Sequence, residues 1–484
     1  MEDAYSSMLS IEVSLAPPPD TDILSPFSAT APQPRASNIE AFHAEPAQVD
    51  RAADELRRLG FRVLIGSRLS LSIEGPPERF TEVFGTELEE RSVEEEREQA
   101  APAIPAAESF LAPAPEASWE PPGLLSGLVE RAYIQRPYLY FESPLPPRVD
   151  YHHLRVPGDL SFLMNASRVH RNGTTGRGVK VAMIDSGFYT QHPYYLAMNY
   201  NMSRILGPGA TAVEADENGH GSAECGNIMA IAPDATFIGV KSGPNLTAAF
   251  KETVRQSPDI ISVSLGFDLR GSNGLPLTSL PGFLRALEAE ISDAVASGIT
   301  VVFSAGNGHI SFPGMHPDVI SAGGTFIDEN MGMQASDYAS AFRSAIYPGR
   351  SVPDVTGLVG MRPHATYILL PLQPECEIDR EVSADDGTEA DDGWSVISGT
   401  SAAAPQLAGV CALLKQKNPG LSPADIKAVL GRTAVDVTKG QANEASNPVL
   451  EDGRLRHVPV KAGPAADGAT GHGLVDAFAA WKQV

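Results

Sequence analysis

Cysteine is scarce: Cys225, Cys376 and Cys411 are the only three in 484 residues. An odd number cannot all pair, and their scatter fits no metal-ligating motif. A disulfide framework and a thiolate metal site are therefore both excluded as organising features, and free thiols in a reducing compartment are expected. Positive charge is also in short supply. Lys and Arg total 36 against 60 Asp and Glu, a net charge of -24, which argues against nucleic acid or an anionic membrane as the main partner. No stretch approaches the roughly eighteen continuous apolar residues of a membrane-spanning helix. Met1-Glu2-Asp3 is acidic and is not followed by a basic and then a long apolar segment, so no secretory signal is visible. The expectation is a cytoplasmic protein, with leaderless secretion left open. What is present is ordinary globular material, 42% hydrophobic and 20% charged, and the length suits two or three domains.

The N-terminal third alternates elements. Ile11, Val13 and Leu15 recur every second residue, which predicts a strand over 10–15. A Pro/Ala/Ser-rich loop runs to about Pro46. Val49, Ala52, Ala53, Leu56 and Leu59 then fall at helical spacing before Gly60. Phe61 to Ile65 predicts a second strand and Leu69, Leu71 and Ile73 a third. Pro76-Pro77 opens a helix holding Phe80, Val83 and Phe84. Residues 95–123, rich in Glu, Ala and Pro, predict an extended linker. Ala132 to Phe141 predicts a further strand, with Pro137 placing it at a sheet edge. The order is a split βαβ, ferredoxin-like α+β arrangement covering 1–94 and 124–145. It carries no chemistry-bearing cluster, so a small binding or regulatory domain is expected.

Residues 146–484 change character. Val179 to Ile184 is a continuous apolar run, as in a buried parallel strand, ending in Asp185-Ser186-Gly187. The carboxyl ends of such strands are where open α/β sheets build sites. Asp185 alone is equally well a helix cap, and His220, bracketed by Gly219 and Gly221, is alone equally well a core histidine. Together each supplies what the other needs, because a carboxylate on one imidazole nitrogen fixes the tautomer and stabilises the imidazolium. Strands at 236–241, 260–265 and 299–303 alternate with helices at 247–254 and 283–296, which predicts a mostly parallel sheet with helices on both faces. Asn307 follows Ser304-Ala305-Gly306 in a glycine-rich turn. It is there either a turn-former or an amide donor aimed at a developing oxyanion. Ser401, in Ser398-Gly399-Thr400-Ser401-Ala402, sits where a loop becomes a helix, among free N–H groups and the positive end of a helix dipole. A serine there needs a base and an oxyanion site to act as a nucleophile.

Asp185-Ser186-Gly187, His220-Gly221-Ser222, Ser304-Ala305-Gly306-Asn307 and Gly399-Thr400-Ser401-Ala402 occur in that order. They resemble the signature blocks of the subtilisin-like serine proteases, the subtilases. Gly471 to Ala477 is similar to that family's closing helix. The resemblance implies Ser401 as nucleophile, His220 as general base and then acid, Asp185 as orienting carboxylate, and Asn307 with the Ser401 N–H as oxyanion hole. Ser264-Leu265-Gly266 would pair with an extended protein or peptide substrate, and Ser304, Ala305 and Gly306 would also contact it. No cofactor is implied. The subtilase calcium sites do not map cleanly, so no required metal is expected. Ser311 or Phe312 would line the pocket before the cleaved bond, and the acidic run 385–392 reads as a solvated loop.

Phe80-Thr81-Glu82-Val83-Phe84-Gly85-Thr86-Glu87-Leu88 resembles a helix in the propeptides of sedolisins such as kumamolisin. That likeness implies an inhibitory propeptide as intramolecular partner, removed by self-cleavage between about 141 and 156. Sedolisins use Glu and Asp where this chain has His220 and Asn307. The imidazole and the amide imply a subtilase site working near or above neutral pH. A dedicated processing protease and a non-enzymatic peptide binder are the alternatives.

Overall fold

Leu9–Leu15 is an inner strand of the N-terminal module's four-stranded sheet. The computed structural model describes residues 8–17, 25, 32–92, 104–105, 109–113, 122–137, 139–140 and 152–484. Leu9–Leu15 pairs antiparallel with Ser70–Gly75 on one side and Val129–Ile134 on the other, and Arg62–Gly66 adds to Ser70–Gly75. Helices Pro46–Arg58 and Pro77–Phe84 complete the strand–helix–strand–strand–helix–strand path. Ile11, Val13, Leu71 and Ile73 face these helices and pack on Ala52, Leu56, Phe80 and Phe84.

The opposite face of this sheet is polar, yet it is buried. Glu12, Ser14, Ser70 and Ser72 have relative exposures of 0%. Helices Leu246–Arg255 and Arg285–Ala296 of the larger unit supply partners for it. Lys251 Nζ donates to Glu12 Oε1 at 2.6 Å and to Ser70 Oγ at 2.8 Å, and Ser72 Oγ donates to Glu12 Oε2 at 2.6 Å. Ser67 Oγ donates to Glu290, whose Oε1 lies 3.8 Å from Lys251 Nζ. Further along, His43 Nε2 meets Asp293 Oδ1 at 2.8 Å, and Arg35 lies 3.9 Å from Glu288.

The larger unit is built on an eight-stranded sheet among the described residues. Its strands run Met202–Leu206, Thr236–Lys241, Lys180–Asp185, Ile260–Val263, Thr300–Ser304, Ile320–Ile327 and Met333–Ala335, with Val355–Leu358 also on Ile320–Ile327. All pairings are parallel except that of Met333–Ala335. Alternate residues feed two separate cores. Val181, Met183, Phe237 and Val302 pack under helices His220–Ile231 and Thr400–Lys417. Ala182, Ile184, Val263 and Phe303 pack under Leu246–Arg255 and Arg285–Ala296. A strand covered on both faces has no polar side, which is why these runs are continuously apolar.

Several expectations are corrected. The stretch 95–123 is not wholly a linker: Ser109–Pro113 pairs antiparallel with Leu88–Ser92, and Ile104–Pro105 pairs with Leu139–Tyr140. The strand read over 132–141 is two, Val129–Ile134 and Leu139–Tyr140, in different sheets. Val129–Ile134 is at the edge of its sheet, as expected, whereas Leu139–Tyr140 lies between two strands. The strand read over 260–265 also divides, into Ile260–Val263 and Leu265–Asp268. The acidic run begins inside a helix, Glu377–Asp386. Asp386 is buried, accepting from Ser395 Oγ and Val396 N at 3.0 Å each. Gly471 to Asp476 precedes the closing helix Ala477–Gln483, which Asp476 caps by accepting from Ala479 N at 2.8 Å. The expected cleavage segment lies largely outside the described residues, since 141–151 are not among them.

Candidate active site

Asp185 ends its strand and His220 begins its helix, so both project from the same carboxyl end of the sheet. Both side chains are fully buried, and His220 Nδ1 bonds Asp185 Oδ1 at 2.6 Å. Asp185 Oδ1 also accepts from Ser186 N at 2.7 Å. With an acceptor at Nδ1, the ring proton resides there and Nε2 presents the lone pair. The helix can come this close only because residue 221 is glycine. A Cβ there would lie 2.2 Å from the Gly187 carbonyl oxygen and 2.8 Å from Asp185 Cβ.

Asp216, which the sequence reading passed over, holds the entry to the His220 helix. Its Oδ1 accepts from Gly219 N at 3.0 Å and Ser186 Oγ at 2.8 Å. Its Oδ2 accepts from Ser222 N at 2.8 Å and Ser222 Oγ at 2.6 Å. Ser186 Oγ in turn accepts from Gly221 N at 2.9 Å. These bonds satisfy N–H groups that a helix start leaves without helical partners. Burial pushes the Asp216 carboxyl up from its ordinary value, opposed by its hydrogen bonds to Ser222, Gly219 and Ser186. The available signal was an aspartate four residues before His220, in the capping region.

Ser401 is the second residue of helix Thr400–Lys417 and is fully buried. That helix is locked to the His220 helix and the sheet by one side chain. Gln406 Nε2 donates to Asn227 Oδ1 at 3.1 Å, and Gln406 Oε1 accepts from Leu358 N at 2.7 Å. Asn307 lies beside the helix start. Its Oδ1 accepts from Thr400 N and Thr400 Oγ1, both at 3.0 Å. Two donors on the oxygen settle the amide's orientation and turn Nδ2 away from Thr400. Gly399 makes room for it, since a Cβ there would lie 2.9 Å from Asn307 Nδ2.

Leu265 and Gly266 pair antiparallel with Tyr140 and Leu139, so they do present main chain to an extended segment. Ser264 Oγ donates to the Ser401 carbonyl at 2.9 Å. Ser304, Ala305 and Gly306 brace the turn before Asn307. Ala305 N donates to Ala322 O at 2.9 Å, Gly306 N to Thr400 Oγ1 at 3.0 Å, and Gly306 O accepts from Ser340 N at 2.8 Å. Ser304 pairs with Ala322 in the sheet. Of the two pocket candidates, Phe312 is a core residue instead, because Ser311–Phe312 pairs with Phe267–Asp268 and turns that ring inward. Ser311 Oγ is buried without a partner among the described residues. Cys225, Cys376 and Cys411 are free and buried, and burial raises all three thiols, Cys376 and Cys411 to about 12. No group of three metal-ligating side chains occurs among the described residues.

A parallel α/β sheet with a buried carboxylate–imidazole pair at the carboxyl ends of its strands, and a serine at the start of a helix packed on that sheet, defines the class to which the comparisons point. The family model Peptidase_S8, subtilase family, matches residues 176–473. The chain belongs to the subtilase family. It is 29% identical over 289 residues to subtilisin Savinase of Lederbergia lenta, covering 58% of this chain and 92% of that protein. It is 30% identical over 286 residues to the M-protease of Shouchella clausii (strain KSM-K16), again 58% of this chain but 64% of that one. Among solved structures, fervidolysin from Fervidobacterium pennivorans, a keratinolytic enzyme related to subtilisin, aligns over 98% of this chain and 61% of its own. The TM-score is 0.52 and the identity 16%, a likeness of fold.

Proposed function

We propose that this chain is a serine endopeptidase acting through Ser401, His220 and Asp185, and that its N-terminal module is an inhibitory propeptide. The observation that carries the reading is the Asp185–His220 pair at 2.6 Å, on the same end of the sheet as Ser401 and Asn307 in a subtilase-family chain. An extended peptide pairs with Leu265–Gly266, main chain to main chain, a mode that tolerates many sequences. Ser401 Oγ attacks the scissile carbonyl carbon as His220 Nε2 takes its proton. Asp185 stabilises the imidazolium that forms. Negative charge gathers on the carbonyl oxygen, where Asn307 Nδ2 and the Ser401 N–H donate. As the tetrahedral intermediate collapses, the C–N bond breaks and His220 protonates the leaving amine. Water, deprotonated by His220, then releases the acyl group and restores Ser401. An imidazole base and an amide donor suit neutral to alkaline pH.

The inhibitory role rests on two contacts. Leu139–Tyr140 occupies the Leu265–Gly266 edge, and the polar face of the N-terminal sheet buries Lys251 and Glu290. Fluorophosphonate labelling of the full-length chain, with mass spectrometry to locate the adduct and any self-cleavage, tests both parts. Labelling on Ser401 with loss of the N-terminal module is expected. A chain that never labels and hydrolyses no peptide, even once cut between the two units, would reduce the groove to a binding site. A chain that hydrolyses peptides while intact would remove the zymogen reading alone.

A further inference from the structure

A proline in the Ser401 helix removes a hydrogen bond next to the reacting centre. In an α-helix the N–H of residue i donates to the carbonyl of residue i−4. Pro405 has no N–H, so the Ser401 carbonyl lacks the donor that residue i+4 ordinarily supplies. That carbonyl is instead bonded by Ser264 Oγ at 2.9 Å. Both residues have a relative exposure of 0%, so water is no ready substitute. Ser264 stands just before Leu265 and Gly266, the residues that pair with Tyr140 and Leu139.

We propose that Ser264 is a positioning residue for the subtilase reaction: its hydroxyl replaces the helix N–H that Pro405 lacks and fixes the backbone at Ser401. The inference rests on the reading of Ser401 as nucleophile. Two anchors then hold the start of this helix. Asn307 takes the N–H and hydroxyl of Thr400, and Ser264 takes the carbonyl of Ser401. The hydroxyl that attacks and the N–H that meets the oxyanion both belong to Ser401. A backbone freed at that carbonyl misplaces the two together. Reaction geometry is steep in such displacements, and an ångström can cost on the order of a hundredfold. Pairing of a peptide with Leu265–Gly266 is also tied, through the neighbouring residue, to the peptide that carries the nucleophile.

The test is a cycle of Ser264→Ala, Pro405→Ala and the double variant in the full-length chain. Turnover of a fluorogenic peptide is measured per active site titrated with a fluorophosphonate. Ser264→Ala alone is expected to lower kcat about tenfold with KM within about twofold, the pattern of a loss confined to the transition state. Pro405→Ala restores a helical N–H to the Ser401 carbonyl. In that background Ser264→Ala is therefore expected to change kcat by less than about twofold, a strong coupling between the two positions. Equal losses in both backgrounds overturn the proposal, as does a loss of KM alone or none at all. Should Ser264→Ala fail to fold by itself, comparing the double variant with Pro405→Ala decides: a folded double variant ten times slower overturns it. Ser401→Ala, measured per mole of protein because it has no serine to titrate, separates the two readings: residual peptide turnover there would sink the nucleophile and not the Ser264 bond.

Discussion

Two buried polar clusters in this molecule are built on opposite terms. Around Asp185, Asp216 and His220, the partners described above all belong to the larger unit. The carboxylates are met largely by main-chain N–H groups and short hydroxyls. Around Lys251 the partners come from both units. One ammonium serves Glu12 at 2.6 Å and Glu290 at 3.8 Å, and serines of the N-terminal sheet supply the rest. The bonds of the first cluster lie within the larger unit, so removal of the N-terminal module should leave them in place. The second exists only while the module is docked. Burial raises Glu290 to about 7, against the pull of Lys251 and Ser67 and helped by Glu12 and Asp293. The first cluster is self-contained; the second is shared between the two units and sets one ammonium against two carboxyl groups.

The largest way to break the comparison is in the first cluster. Ser401→Ala should abolish peptide hydrolysis, with a fall in kcat on the order of 10⁶ as measured for a subtilisin, while the N-terminal module stays docked on size-exclusion chromatography. Asn307→Ala should lower kcat by about 10²–10³ with little change in KM, the loss found for one oxyanion donor in subtilisin. Neither change should alter docking.

Changes in the second cluster should do the reverse. Lys251→Met leaves Glu12 and Glu290 buried without their cation, a loss of roughly 3–5 kcal/mol when a buried pair is broken. The N-terminal module should then dissociate at least a hundredfold more readily by surface plasmon resonance, with kcat per titrated site unchanged. The smallest effect is the pH dependence of docking. Glu290 has an ordinary value of 4.5 when free and about 7 when docked, so docking takes up a proton between those limits. Its contribution is complete below 4.5 and is lost as pH rises through about 7. Affinity should fall about tenfold or more from pH 5 to 8, and Glu290→Gln should flatten that slope. A slope unchanged by Glu290→Gln would overturn the assignment of that proton to Glu290.

Much of this was legible in the sequence where one residue type has few uses. Asp185 ends a strand, His220 begins a helix, Ser401 is one residue into a helix and Asn307 lies in the turn after a strand, each within two residues of a glycine, so their positions followed from strand ends and helix starts. The alternation of Leu9–Leu15 gave its inward face correctly. Nothing in that alternation says what covers Glu12 and Ser14, because the covering helices lie more than two hundred residues away in the chain. Asp216 was missed since an aspartate in a loop has many roles and its four donors converge only in space. The strands Ile104–Pro105 and Ser109–Pro113 were hidden in composition that favours disorder, and they form through pairing with partners, not through their own propensity. Ser264 could be placed on the substrate edge, but its bond to the Ser401 carbonyl needed the coordinates.

Leu139–Tyr140 is an inner strand of a small sheet, flanked by Leu265–Asp268 and by Ile104–Pro105. On the proposed zymogen reading, scission downstream of Tyr140 would leave that strand hydrogen-bonded on both sides and the nicked molecule still plugged. The interval before it accepted outside substrate would then be set by a unimolecular unzipping, a delay that dilution would not change and that a second enzyme molecule could cut short only by trimming the plug.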